Sequence, residues 1–154
     1  MLHIVLFNPE IPPNTGNVIR LCANTGFQLH LIEPLGFALE DKKLRRAGLD
    51  YHEWATLQVH AHWQDFLDHI KPARVFACEV GGQTRYDQAR FQRGDALLFG
   101  PETSGIPHAL LDSLPAAQTL RLPMQPGQRS LNLSNAVAVL AFEAWRQLEF
   151  SGAN

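Results

Sequence analysis

The segment from Leu122 to Trp145, LPMQPGQRSLNLSNAVAVLAFEAW, restricts the fold more than any other part of the chain. It leaves an apolar run, Leu120-Arg121-Leu122, at Pro123. Pro126 and Gly127 then hold an extended loop in which few backbone donors can join a helix or a sheet. After Ser130 the periodicity becomes helical. Ala136, Val137, Leu140, Ala141, Ala144, Trp145 and Leu148 recur on one face, and Val139 and Phe142 fall on a second. Only Glu143, Arg146 and Gln147 are left for water. A helix this apolar needs cover on two sides, from its own sheet and from another subunit. Its first turn gathers Ser130, Asn132, Ser134 and Asn135. Capping or a loop hydrogen bond explains any one of them. Together, between a strand end and a helix start, they predict a binding site.

The preceding sequence alternates strands and helices. His3 to Phe7 reads as a buried strand, and the loop NPEIPPNTGN follows, where Pro9, Pro12 and Pro13 argue against regular structure. Asn14 or Thr15 is the expected cap of a helix through Val18, Ile19, Leu21 and Cys22 to Gly26. Gln28 to Ile32 is a second strand, and Leu57 and Val59 centre a third. A helix is expected from His60 to Ile70, then strands from Arg74 to Cys78, Asp95 to Phe99 and Ala117 to Leu122. Pro107 opens a short helix through Leu110 and Leu111. This order predicts one α/β domain over residues 1–154, a parallel sheet with helices on both faces.

With 154 residues the chain can bury a real core but not two. No apolar run reaches the length of a membrane span and no leader is visible, so a cytoplasmic protein without membrane attachment is expected. Cys22 and Cys78 form no motif, which suits a reducing compartment. His52, His60, His62 and His69 lack thiol or carboxylate companions at ligand spacing, so no metal is expected. A net charge of −2 argues against coating nucleic acid by bulk charge, so any RNA or DNA partner must meet a local basic patch. The densest basic cluster is Lys42, Lys43, Arg45 and Arg46, which suits either a helix C-terminus or phosphate contact.

Ligands of open parallel sheets collect at the carboxyl ends of strands. Cys78 to Gly82, Gly100 to Gly105 and Leu122 to Ser130 fall there. They supply glycines and free backbone groups, with Glu102 and Arg129 as the charges counted. A triphosphate needs more cations, so an adenosine-type ligand, neutral or zwitterionic, fits better. The dinucleotide and phosphate-loop glycine patterns are absent. Ser104 and Ser130 have no histidine partner or nucleophile elbow, which disfavours a hydrolase.

Three pieces, NTGNVIRLCANTG, LLFGPETSGIP and LRLPMQPGQRSLNLSNAVAVLAFEAW, resemble the signature motifs of the SPOUT RNA methyltransferases. They are most similar to the short TrmL (YibK) type, which methylates the 2′-oxygen of cytidine or uridine 34 in tRNA. The resemblance covers essentially the whole chain. It implies a C-terminal part threaded through a deep trefoil knot, a homodimer, tRNA as substrate and S-adenosylmethionine as methyl donor. The implied cofactor pocket falls on Cys78, Gly100, Leu122 and Ser130. The implied catalytic set is Arg20, Glu102, Ser130 and Asn132, and Asn14 and Arg20 belong to the first motif. Phe142 stands where some relatives have tyrosine, so no role of that hydroxyl transfers.

A ribose hydroxyl attacking a sulfonium methyl must lose its proton. The family assigns that to the arginine, here Arg20, but a guanidinium stays protonated in ordinary protein surroundings. A clamp on the neighbouring phosphate and the developing alkoxide is easier to accept. The alternatives are the same chemistry at another RNA site, such as ribosomal RNA, and a tRNA-binding or RNA-chaperone dimer without catalysis.

Overall fold

A computed structural model describes residues 1–40, 42–45, 51–54 and 56–154. Seven strands, β1 (His3–Phe7), β2 (Gln28–Ile32), β3 (Leu57–His60), β4 (Val75–Cys78), β5 (Thr84–Arg85), β6 (Ala96–Phe99) and β7 (Thr119–Arg121), form one sheet. The order is β3-β2-β1-β6-β4-β7-β5, and every pair is parallel. The chain winds outward from β1 to β3, then crosses to the other half, leaving β6 between β1 and β4.

Both faces are covered, as the buried strands require. Ile4, Leu6, Leu97 and Phe99 pack with Val18, Ile19 and Cys22 of α1 (Pro12–Thr25). Val137, Leu140, Ala141 and Ala144 of α6 (Leu133–Gln147) join the same cluster. Val5, Ala77 and Leu98, on the other side of the pleat, meet Phe66 of α4 (Trp63–Ile70) and Leu110 of α5 (His108–Asp112). Two short helices, α2 (Lys42–Arg45) and α3 (Tyr51–Trp54), and two 3-10 turns, Tyr86–Gln88 and Ala116–Gln118, complete the described elements.

Two sequence expectations need correction. Pro12 and Pro13 do not exclude a helix; they begin α1, because a first helical turn has no use for their missing N–H groups. The N-cap is therefore Ile11, and Asn14 and Thr15 are buried inside the helix. The helix expected from His60 starts only at Trp63, since His60 pairs with Ile32 as the last residue of β3.

That pairing completes a chain of imidazoles. His3 is opposite Gln28, and His30 is opposite Gln58, so each histidine lies two residues beyond its neighbour's partner on one side of the pleat. His3 Nδ1 is 2.9 Å from His30 Nε2, and His30 Nδ1 is 2.9 Å from His60 Nε2. Burial, with His3, His60 and His69 nearby, pushes His30 down to about 3. The fold thus holds a neutral ring. Its stabilising contribution is complete above the unfolded value near 6.5 and is lost as pH falls from there towards 3. We expect urea denaturation to show stability falling between pH 6 and pH 5 by about 1.2 kcal/mol for this one group. His30→Gln should flatten that slope; an equal slope in the variant would place the acid sensitivity elsewhere.

Candidate functional site

The register fixes the floor of the site. Cys78 lies beside Phe99 on one side and Leu120 on the other, so β4, β6 and β7 end level. Their loops can approach because two residues lack a side chain. A Cβ on Gly100 would stand 2.5 Å from Ile106 N, and one on Gly82 would meet Leu120 O and Arg121 N. The resulting cavity, about 520 Å³, is lined by Cys78, Gly100, Leu122 and Ser130. These four were the expected cofactor positions. Glu102, Asn14 and Asn132 also line it.

A hydrogen-bonded network joins the last three. The Glu102 carboxylate accepts from Glu10 N (2.9 Å), Ile11 N (2.7 Å) and Asn14 Nδ2 (3.2 Å). Asn132 Nδ2 donates to Asn14 Oδ1 at 3.0 Å, while Asn132 Oδ1 accepts from Ser134 Oγ and Asn135 N, capping α6. Thr103 answers by donating its N–H and hydroxyl to the Glu10 carboxylate, which those bonds hold below its usual range. Glu102 is thus engaged by three donors. Burial and the neighbouring Glu79 push the Cys78 thiol up to about 12, so Cys78 is a protonated thiol with no nucleophilic character at neutral pH.

Arg20 is not among the lining residues. It lies half-exposed on α1, and its Nε donates to Glu53 at 3.1 Å. Ser130 is exposed at the rim. Of the basic cluster, Lys42 is exposed on α2; Arg46 and the side chains of Lys43 and Arg45 lie outside the described residues. Glu79, which no motif singles out, also lines the cavity, and its carboxylate accepts from Ile106 N at 2.7 Å. Its position directly after Cys78 was the available signal. Among the described residues no group of histidines, cysteines and carboxylates could hold a metal ion.

A level row of parallel strand ends, three interlocked loops and a polar helix start form the floor and walls of a cavity of small-molecule size. The chain belongs to the SpoU rRNA Methylase family, whose model matches residues 1–142. It is 58% identical to the tRNA (cytidine(34)-2′-O)-methyltransferase of Escherichia coli (strain K12) over 99% of this chain and 98% of that one. A structure solved for the 2-OH methylation of C/U34 on tRNA is 51% identical, with a TM-score of 0.90 and 97% of each chain covered. The SpoU methyltransferase AviRb from Streptomyces viridochromogenes, in complex with AdoMet, shares the fold at a TM-score of 0.84. It is 21% identical, and all of this chain matches 59% of that one.

Proposed function

We propose that this protein, acting as a single catalytic domain over residues 1–154, methylates the ribose 2′-hydroxyl of nucleotide 34 of tRNA. The nucleotide is cytidine or a modified uridine, in leucine isoacceptors, and S-adenosylmethionine is the donor. The observation that carries this reading is full-length similarity to enzymes of that name, combined with a pocket at the three strand ends. The pocket suits the donor: it is large enough for an adenosine ligand and presents backbone groups around Gly100 and Leu122. When bound, S-adenosylmethionine supplies an electrophilic methyl carbon.

The chain's own residues have separate tasks. Cys78, Gly100, Leu122 and Ser130 seat the donor. Asn14, Glu102 and Asn132 hold the loop after β6 against the starts of α1 and α6. Arg20 clamps the phosphate beside the target ribose and steadies the developing alkoxide. Lys42, Lys43, Arg45 and Arg46 contact the tRNA backbone. Most of the acceleration comes from orienting two reactants.

The homodimer belongs to the same reading. Asn135, Val139 and Phe142 are exposed at helical spacing along α6, and Leu131, exposed just before the helix, lies at the pocket rim. Because Arg20 does not line the pocket of its own chain, a second copy packed there gives it a pocket to serve. The deep trefoil knot is the finer topology we assign; the insertion of β7 between β4 and β5, with Gly82 pressed on Leu120, is compatible with it. Among the described residues no helix is long and apolar enough to cross a membrane, and we place the protein with its tRNA in the cytoplasm.

The test is transfer of a tritiated methyl group to unmodified and cellular tRNA, with the product mapped and the protein sedimented at micromolar concentration. We expect label on the ribose of nucleotide 34 and roughly twice the chain mass. Label on ribosomal RNA alone would move the substrate. No transfer to any RNA, with tRNA still bound, would favour a chaperone.

A further inference from the structure

The cavity carries charge of one sign. Among the described residues its lining includes two carboxylates, Glu79 and Glu102, and no lysine, arginine or histidine. Glu102 is occupied by its three donors. Glu79 is not so placed. Its Oε2 accepts from Ile106 N at 2.7 Å, and among the described residues its Oε1 accepts only from the N–H of the adjoining Val80, at 3.3 Å. A carboxylate offers about four acceptor directions, so Oε1 retains capacity for a ligand. Among the described residues no cation forms an ion pair with Glu79. A half-buried carboxylate that faces a cavity with no counter-ion among the described residues attracts a cationic ligand more strongly than a neutral one of the same shape.

We propose that Glu79 makes this pocket selective for the positively charged sulfonium of the methyl donor over the neutral thioether of its product. This rests on S-adenosylmethionine being the ligand, as read above. In the transfer the bond from sulfur to the methyl carbon breaks and its electron pair stays on sulfur, while the ribose oxygen bonds the methyl and gives up its proton to water. The departing ligand therefore carries one positive charge fewer than the arriving one. Attraction to Glu79 weakens at the moment the product must leave, while every contact to the adenosine is unchanged.

The test is calorimetry with S-adenosylmethionine and S-adenosylhomocysteine on wild-type protein and Glu79→Gln. Glutamine keeps an oxygen for Ile106 N and removes the charge. We expect the methyl donor to bind about tenfold more weakly to the variant and the product to change less than about threefold. Equal weakening of both ligands, or of neither, would reduce Glu79 to a brace on the loop after β6. Melting temperatures establish that the variant is folded. Should it not fold, wild-type protein decides: between about 50 and 500 mM potassium chloride the affinity ratio must narrow, and a constant ratio overturns the pairing. Wild-type protein that binds neither ligand would remove the function reading itself, a result distinct from loss of selectivity.

Discussion

Arg20→Ala will bind S-adenosylmethionine as wild-type protein does and lose about two orders of magnitude in the rate of methyl transfer, the usual effect of removing one preorganised donor. The first half follows from position, since Arg20 does not line the cavity. The second follows from the proposed role: contact with the phosphate and alkoxide matters in the transition state more than in the cofactor complex. Glu53 supplies a control. It accepts from Arg20 Nε at 3.1 Å and so helps to aim the guanidinium, but does not provide its charge. Single-turnover rates at saturating tRNA should fall less for Glu53→Gln than for Arg20→Ala. Arg20→Ala turning over like wild type would end the assignment.

Glu102→Ala has the largest expected effect on the fold of the site. Removing the carboxylate leaves Glu10 N, Ile11 N and Asn14 Nδ2 without their acceptor. Stranding donors in a partly buried place costs on the order of 2 kcal/mol, or roughly 5 °C in melting temperature for a chain of this size. Cofactor binding should disappear with it, because the loop after β6 is one wall of the cavity. Glu102→Gln is not a rescue. The wild-type side chain uses both oxygens as acceptors, and glutamine turns one of them towards a donor. A variant with native melting and native cofactor affinity but no transfer would instead make Glu102 a group in the chemistry.

The buried strands were readable because a parallel sheet covered on both faces needs short continuous apolar runs, and HIVLF, QLHLI and ALLF are such runs. The three loops followed from their ends, whereas Gly100 and Leu122 as cofactor positions came from the family resemblance of the motifs. Three things were not readable. The place of β6 between β1 and β4 depends on long-range pairing that no local pattern encodes. The early start of α1 was hidden because Pro12 and Pro13 serve equally as helix breakers and as first-turn residues. The histidine chain was the third. Residues 3, 30 and 60 meet only through the register of β1, β2 and β3, although each was visible as a lone histidine.

The exchange of hydrogen bonds between Glu10 and Thr103 and between Glu102 and the amides of Glu10 and Ile11 has a mechanical consequence. The loops after β1 and β6 are locked as one body, and separating them means breaking those contacts together. Residues 123–131 are the opposite case: apart from Met124 they are exposed, and Gln128 N to Gln125 O at 3.3 Å is the one backbone bond the segment makes within itself. The cavity therefore has a stiff wall and a compliant one. Because α1 begins at the stiff wall, the helix that bears Arg20 is held in a fixed relation to the loop after β6.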